Sequence, residues 1–97
     1  MEIAFEDSKL EKLIGNRAKA YRKYGAKAIE TLYLRLSNIQ SAGSVAELSL
    51  LPGGFHKLKH DLSGLWACSL TGALRLVMRV EEERVVIISI TNYHKGK

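Results

Sequence analysis

His56, His60 and His94 lie in the second half of this sequence, among Lys57, Lys59, Arg75, Arg79 and Tyr93. These residue types suit cleavage of an RNA phosphodiester. That reaction needs a base to take the proton from a 2′-hydroxyl and an acid to protonate the leaving 5′-oxygen. It also needs positive charge where the phosphate becomes more anionic. Histidine has the unperturbed pKa best suited to proton transfer near neutrality. Lysine and arginine supply charge, arginine through a planar fork fitted to phosphate. Tyrosine can stack on a base. His56, Lys59, Arg75, Tyr93 and His94 are the catalytic candidates. Lys57, Arg79 and Asn92 are the substrate-binding candidates.

The same residues have plainer uses. A histidine near a strand end is commonly a surface or capping residue. Lys59 and Arg79 are most simply solvated charges, and Tyr93 a rim residue of the core. The sequence has no His-x-x-x-His on a helix, no cysteine pair and no carboxylate cluster beside the histidines, so neither a metal site nor a cofactor is expected. Nothing resembles a nucleophile elbow.

Two regimes of periodicity would position these residues. Ile3–Phe5 reads as a short edge strand. Ser8 and Glu11 have capping-box spacing, and Leu10, Leu13 and Ile14 then share one helical face. Gly15-Asn16 is a break. A basic run follows: Arg17, Lys19, Arg22, Lys23 and Lys27, interrupted by Gly25. It reads as a solvated face or as a grip on an anionic partner. Ile29, Leu32, Tyr33 and Leu36 mark a helix from about Ala26 to about Ile39. Ser44 and Glu47 repeat the capping-box spacing before a short turn carrying Val45, Leu48 and Leu51, which Pro52-Gly53-Gly54 stops.

From Phe55 the period becomes two. Residues 55–59 read as a short strand and 60–64 as a loop. Leu65–Leu70 is a strand with Trp66, Cys68 and Leu70 on one face. Thr71-Gly72-Ala73 is a hairpin loop in which glycine offers positive φ. In Leu74–Val80 the residues Leu74, Leu76, Met78 and Val80 face one way, and Arg75, Val77 and Arg79 the other. Arg84–Thr91, apolar on both faces, reads as a central strand covered on both sides. The expected fold class is α+β, with an N-terminal helical hairpin packed on a small twisted, mainly antiparallel sheet.

At 97 residues, 46% hydrophobic and 26% charged, the chain reads as one globular domain, 1–97. Its formal net charge of +5 permits an RNA, DNA or acidic protein partner without choosing among them. The single Cys68 excludes an internal disulfide and suggests a small buried residue. Glu2, Glu6, Asp7 and Glu11 are unlike a signal peptide, and no apolar run approaches the ~20 residues of a membrane span. The expected compartment is the cytoplasm.

Four ordered segments carry a resemblance: Phe55-His56-Lys57-Leu58-Lys59-His60-Asp61, Gly64-Leu65-Trp66, Leu74-Arg75-Leu76-Val77 and Asn92-Tyr93-His94. Together they resemble HigB-type toxins, the plasmid-maintenance killer proteins of the RelE/ParE superfamily. The resemblance implies ribosome-dependent endoribonuclease cleavage of mRNA. It also implies a HigA-like helix-turn-helix antitoxin as partner, with DNA reached only through that antitoxin and no membrane partner. By position it implies catalytic histidines at His56 and His94, and a catalytic or phosphate-binding Lys59. Arg75 would stabilise the transition state and Tyr93 would position the base. Asn92 stands where the family usually has Asp, Lys57 for proline, His60 for glycine and Leu74 for an aromatic. An amide at 92 is no general base and holds no histidinium by charge. The alternatives are a non-enzymatic toxin on the same fold, gyrase-targeting or degenerate, and a small basic RNA-binding protein.

Overall fold

A computed structural model describes residues 1–59 and 64–92. The order of elements is β1 (Glu2–Phe5), α1 (Ser8–Ile14), α2 (Arg17–Tyr24), α3 (Ala26–Ser41), α4 (Val45–Leu48), β2 (His56–Lys57), β3 (Leu65–Ser69), β4 (Leu74–Val80) and β5 (Arg84–Asn92). The strands form one sheet in the order β1-β5-β4-β3-β2. The β2/β3, β3/β4 and β4/β5 pairs are antiparallel, whereas β1 adds to β5 in parallel. The sheet is therefore mixed.

The helices pack on one face of this sheet because their apolar stripes meet the inward set of each strand. One cluster joins Leu10 and Ile14 of α1, Ala20 of α2, Ile29, Leu32 and Ile39 of α3 and Leu48 of α4 to the sheet. The sheet supplies Trp66, Cys68, Leu76, Met78, Val85 and Ile87. The alternation in β4 thus resolves as expected: Leu76 and Met78 are fully buried among the helices, and Arg75, Val77 and Arg79 belong to the opposite face, which is helix-free among the described residues.

Several local expectations need correction. The N-cap of α1 is Asp7, whose carboxylate accepts from the Lys9 N–H at 2.8 Å, so Ser8 lies inside the helix. At α4 the Ser44 side chain makes no cap; Glu47 instead accepts from the Gly43 N–H at 2.8 Å. The Thr71–Ala73 turn does not use a left-handed glycine. The Thr71 hydroxyl accepts from the N–H groups of Ala73 and Leu74 and holds it closed. The strand expected over 55–59 shortens to His56–Lys57.

The apolar run in β5 is buried on both faces at its start, as expected, since Val85, Val86 and Ile87 all lie inside; its second half is set by a bulge. Val77 pairs with Ser89 but Met78 pairs with Ile87, so Ile88 is an extra residue in the ladder. This bulge shifts the alternation by one. Val85 and Ile87 point to the helices before it, Ile90 packs against the same cluster after it, and Ser89 and Thr91 come to the helix-free face.

Candidate functional site

On the helix-free face, pairing sets side chains into rows. His56 stands opposite Ala67, Ala67 opposite Val77, and Val77 opposite Ser89. The next row contains Ser69, Arg75 and Thr91. On the other side lies the row of Leu65, Arg79 and Val86. Strand and residue spacing put the Cα atoms of His56 and Arg75 about 12 Å apart. The sheet therefore brings a histidine, an arginine and three hydroxyl residues onto one surface.

His56 is exposed, and its Nδ1 lies 2.7 Å from the carbonyl oxygen of Gly54. A carbonyl can only accept, so Nδ1 carries the proton and the neutral ring has its lone pair at Nε2. A ring in this tautomer is a proton acceptor at Nε2. Arg75 is half-buried between its row neighbours Ser69 and Thr91. The Ser89 and Thr91 hydroxyls lie 2.9 Å apart and hydrogen-bond to each other.

Arg79 stands in a different environment. It donates to Glu6 at 2.9 Å and to Glu81 at 3.1 Å, and Arg84 donates to Glu81 at 2.6 Å. Hydrogen bonds to Glu6 and Glu81 raise its pKa further. Arg84 first, and Arg79 second, hold the Glu81 carboxyl below the usual carboxylate range. Two cations and two carboxylates here balance, so Arg79 offers a substrate little net charge. Lys57 pairs with Trp66 and so alternates away from the face that His56 shares with Ala67. Lys59 is exposed just beyond β2. Asn92 is exposed at the end of β5, opposite Leu74. His60, Tyr93 and His94 lie outside the described residues.

Sequence reasoning missed Ser69, Ser89 and Thr91. The available signal was a hydroxyl breaking the apolar run of β5, which reads as outward once the bulge is known. Cys68 is fully buried, and burial pushes its thiol up to about 12, so it behaves as a small core residue.

A second basic surface belongs to the first two helices. Between α1, the end of α2 and β5 lies a groove of about 290 Å³ whose lining includes Lys9, Leu13, Lys23 and Tyr24. A neighbouring groove of about 380 Å³ is lined by Lys9, Lys12, Leu13, Asn16 and Lys19. Asn16, which accepts from the Lys19 N–H at 3.2 Å, starts α2 and so aims the basic run. The Arg17 guanidinium lies over the Tyr33 ring at 4.4 Å and donates to the Tyr21 hydroxyl, which donates to Glu30. That contact fixes α2 against α3.

No protein-family profile matches the chain, and no curated protein matches it in sequence. Solved structures do match over nearly the whole chain. A YoeB/ParE toxin from Agrobacterium tumefaciens superposes with a TM-score of 0.66 at 20% identity, covering 97% of this chain and 100% of that one. YoeB in its complex with YefM from Staphylococcus aureus gives 0.66 at 23% identity, with 97% of each chain covered. A histidine-to-glutamine variant of YafQ from E. coli gives 0.65 at 13% identity, covering 95% of this chain and 92% of that one. The chain therefore has the fold of the YoeB/ParE and YafQ toxins, the RelE/ParE-like arrangement expected from the sequence.

Proposed function

We propose that this chain is the toxin of a type II toxin–antitoxin pair and that it cleaves translated mRNA on the ribosome. The observation that carries this reading is that two groups suited to such cleavage share the helix-free face of this fold. His56 has its lone pair at Nε2, and Arg75 stands one row away. In the reaction, Nε2 takes the proton of the 2′-hydroxyl and the 2′-oxygen attacks phosphorus. Arg75 neutralises the charge that builds on the phosphoryl oxygens, and the 5′-oxygen leaves with a proton from an acid. The products are a 2′,3′-cyclic phosphate and a 5′-hydroxyl. His94 is proposed as that acid, Lys59 as a further phosphate contact and Tyr93 as the stacking ring, all on the strength of the HigB-like motif. Asn92, Lys57 and Arg79 are assigned weaker roles in holding RNA, and for Arg79 the ion pairs argue that its first role is structural.

The basic grooves along α1 and α2 suit a large polyanion, which fits a protein that works on the ribosome rather than on free RNA. One of the similar structures holds YoeB with YefM, and a cognate antitoxin is proposed here too, of the HigA-like helix-turn-helix type. Mapping RNA ends after induction tests the enzymatic reading. New 5′-hydroxyl ends within translated frames are expected. Growth arrest with intact mRNA would favour the non-enzymatic, gyrase-directed reading instead.

A further inference from the structure

We propose that Arg35, on α3, and Gly53, in the turn before β2, are positioning residues that fix the tautomer of His56. The inference rests on the reading of His56 as a proton-transfer group, and its test does not depend on activity.

The linkage runs through four contacts. The Arg35 Nε donates to the Ser69 carbonyl at 2.9 Å, tying the helix to β3. The Ser69 N–H and hydroxyl both donate to the Gly53 carbonyl, at 2.9 and 3.2 Å. Gly53 is bonded to Gly54, and the Gly54 carbonyl accepts from His56 Nδ1. The carbonyl that chooses the histidine tautomer is thus held by a turn that β3 holds, and Arg35 holds β3 at that same residue.

Gly53 is required twice over. Its φ is +106°, a conformation that side-chain-bearing residues rarely adopt. A Cβ there would lie 2.4 Å from the Arg35 Nε, so the guanidinium passes directly over a bare Cα. Gly54, also at positive φ, would meet nothing with a Cβ. The two adjacent glycines therefore differ: Gly54 serves only its own backbone, whereas Gly53 also admits Arg35. A half-buried arginine donating to a backbone carbonyl, with no carboxylate salt bridge to it among the described ion pairs, is an expensive way to fix an ordinary turn. It is a reasonable way to hold one carbonyl oxygen where a ring nitrogen must find it. Partners one step removed from a reactive imidazole are known to matter by fixing its tautomer and orientation.

The test is the nitrogen spectrum of His56 in the folded protein labelled at its histidines, with pH–rate profiles of cleavage beside it. In the native protein with the ring neutral, Nδ1 should be of the protonated type and Nε2 of the lone-pair type. Gly53→Ala and Arg35→Ala should shift His56 toward the Nε2–H tautomer that free histidine favours. They should slow cleavage roughly ten- to a hundred-fold. Arg35→Lys, which keeps a donor for the Ser69 carbonyl, should recover part of this, and Ser69→Ala should show a smaller change in the same direction. A native His56 protonated at Nε2 overturns the proposal, and that spectrum decides even if a variant fails to fold. So does a folded Arg35→Ala protein with native tautomer and rate. His56→Gln is run alongside: cleavage unchanged in that variant would remove the catalytic role of His56 while the tautomer result still reports the linkage.

Discussion

Arg75 and Arg79 stand four residues apart on the same face of β4, in different surroundings. Arg75 lies between hydroxyl residues in the row beside His56, whereas Arg79 is bound by Glu6 and Glu81. Arg75→Ala should leave the melting temperature nearly unchanged and lower cleavage ~10²–10³-fold, the usual effect of losing one charge-stabilising donor. Arg79→Ala should do the reverse, lowering stability slightly, by an amount that shrinks with added salt, and leaving cleavage largely intact. Steady-state cleavage and thermal melts of the two proteins separate these outcomes. Alternation made the shared face legible in the sequence. The partners were not, because Glu6 is 73 residues from Arg79 and only the parallel return of β1 brings it near. The same network sets a pH response. Arg84 and Arg79 lower the Glu81 pKa in the folded state, so the unfolded chain binds more protons through that range. The stabilisation is complete above the ordinary carboxylate pKa of about 4.3 and is lost as pH falls through it towards the lower folded value. Melting of the native protein and of Glu81→Gln should therefore differ near neutrality and converge in acid.

At the scale of elements, the sequence located the breaks better than the caps. Gly15-Asn16 does separate α1 from α2, and Pro52-Gly53-Gly54 does end the helical half. The start of α1 was misplaced by one residue because Asp7 and Ser8 are both good N-caps. The choice is made by the sheet: the Glu6 N–H still donates to the Ile87 carbonyl at 3.0 Å, so the chain stays with β5 through Glu6 and turns at Asp7. Asp7→Ala should accordingly cost about 1 kcal/mol in denaturant melts and Ser8→Ala much less. Equal losses would mean that the two residues share the cap. The bulge at Ile88 was hidden for a similar reason. A run of apolar residues does not reveal a change of phase, and only the register against β4 does. That shift is what delivers Ser89 and Thr91 to the face of His56 and Arg75.

For the molecule as a whole, the change of period at Phe55 was enough to foresee helices laid on one face of a meander. The resulting fold is that of the YoeB/ParE and YafQ toxins. A four-residue first strand carries no information about which partner it joins or in which direction, so the mixed sheet was not legible. Among the described residues, the architecture leaves one face of the sheet free of helices and places lysine-lined grooves on the helical side. The central claim is that the helix-free face cuts RNA with His56 and Arg75. Its most direct test is primer extension on one mRNA, translated in a cell-free system or left untranslated, with the native protein, His56→Gln and Arg75→Ala compared at matched folding. The native protein should cut the translated message and spare the untranslated one, and both variants should leave the translated message nearly whole. Cleavage by Arg75→Ala or His56→Gln at the native rate, or an uncut translated message, would contradict the claim.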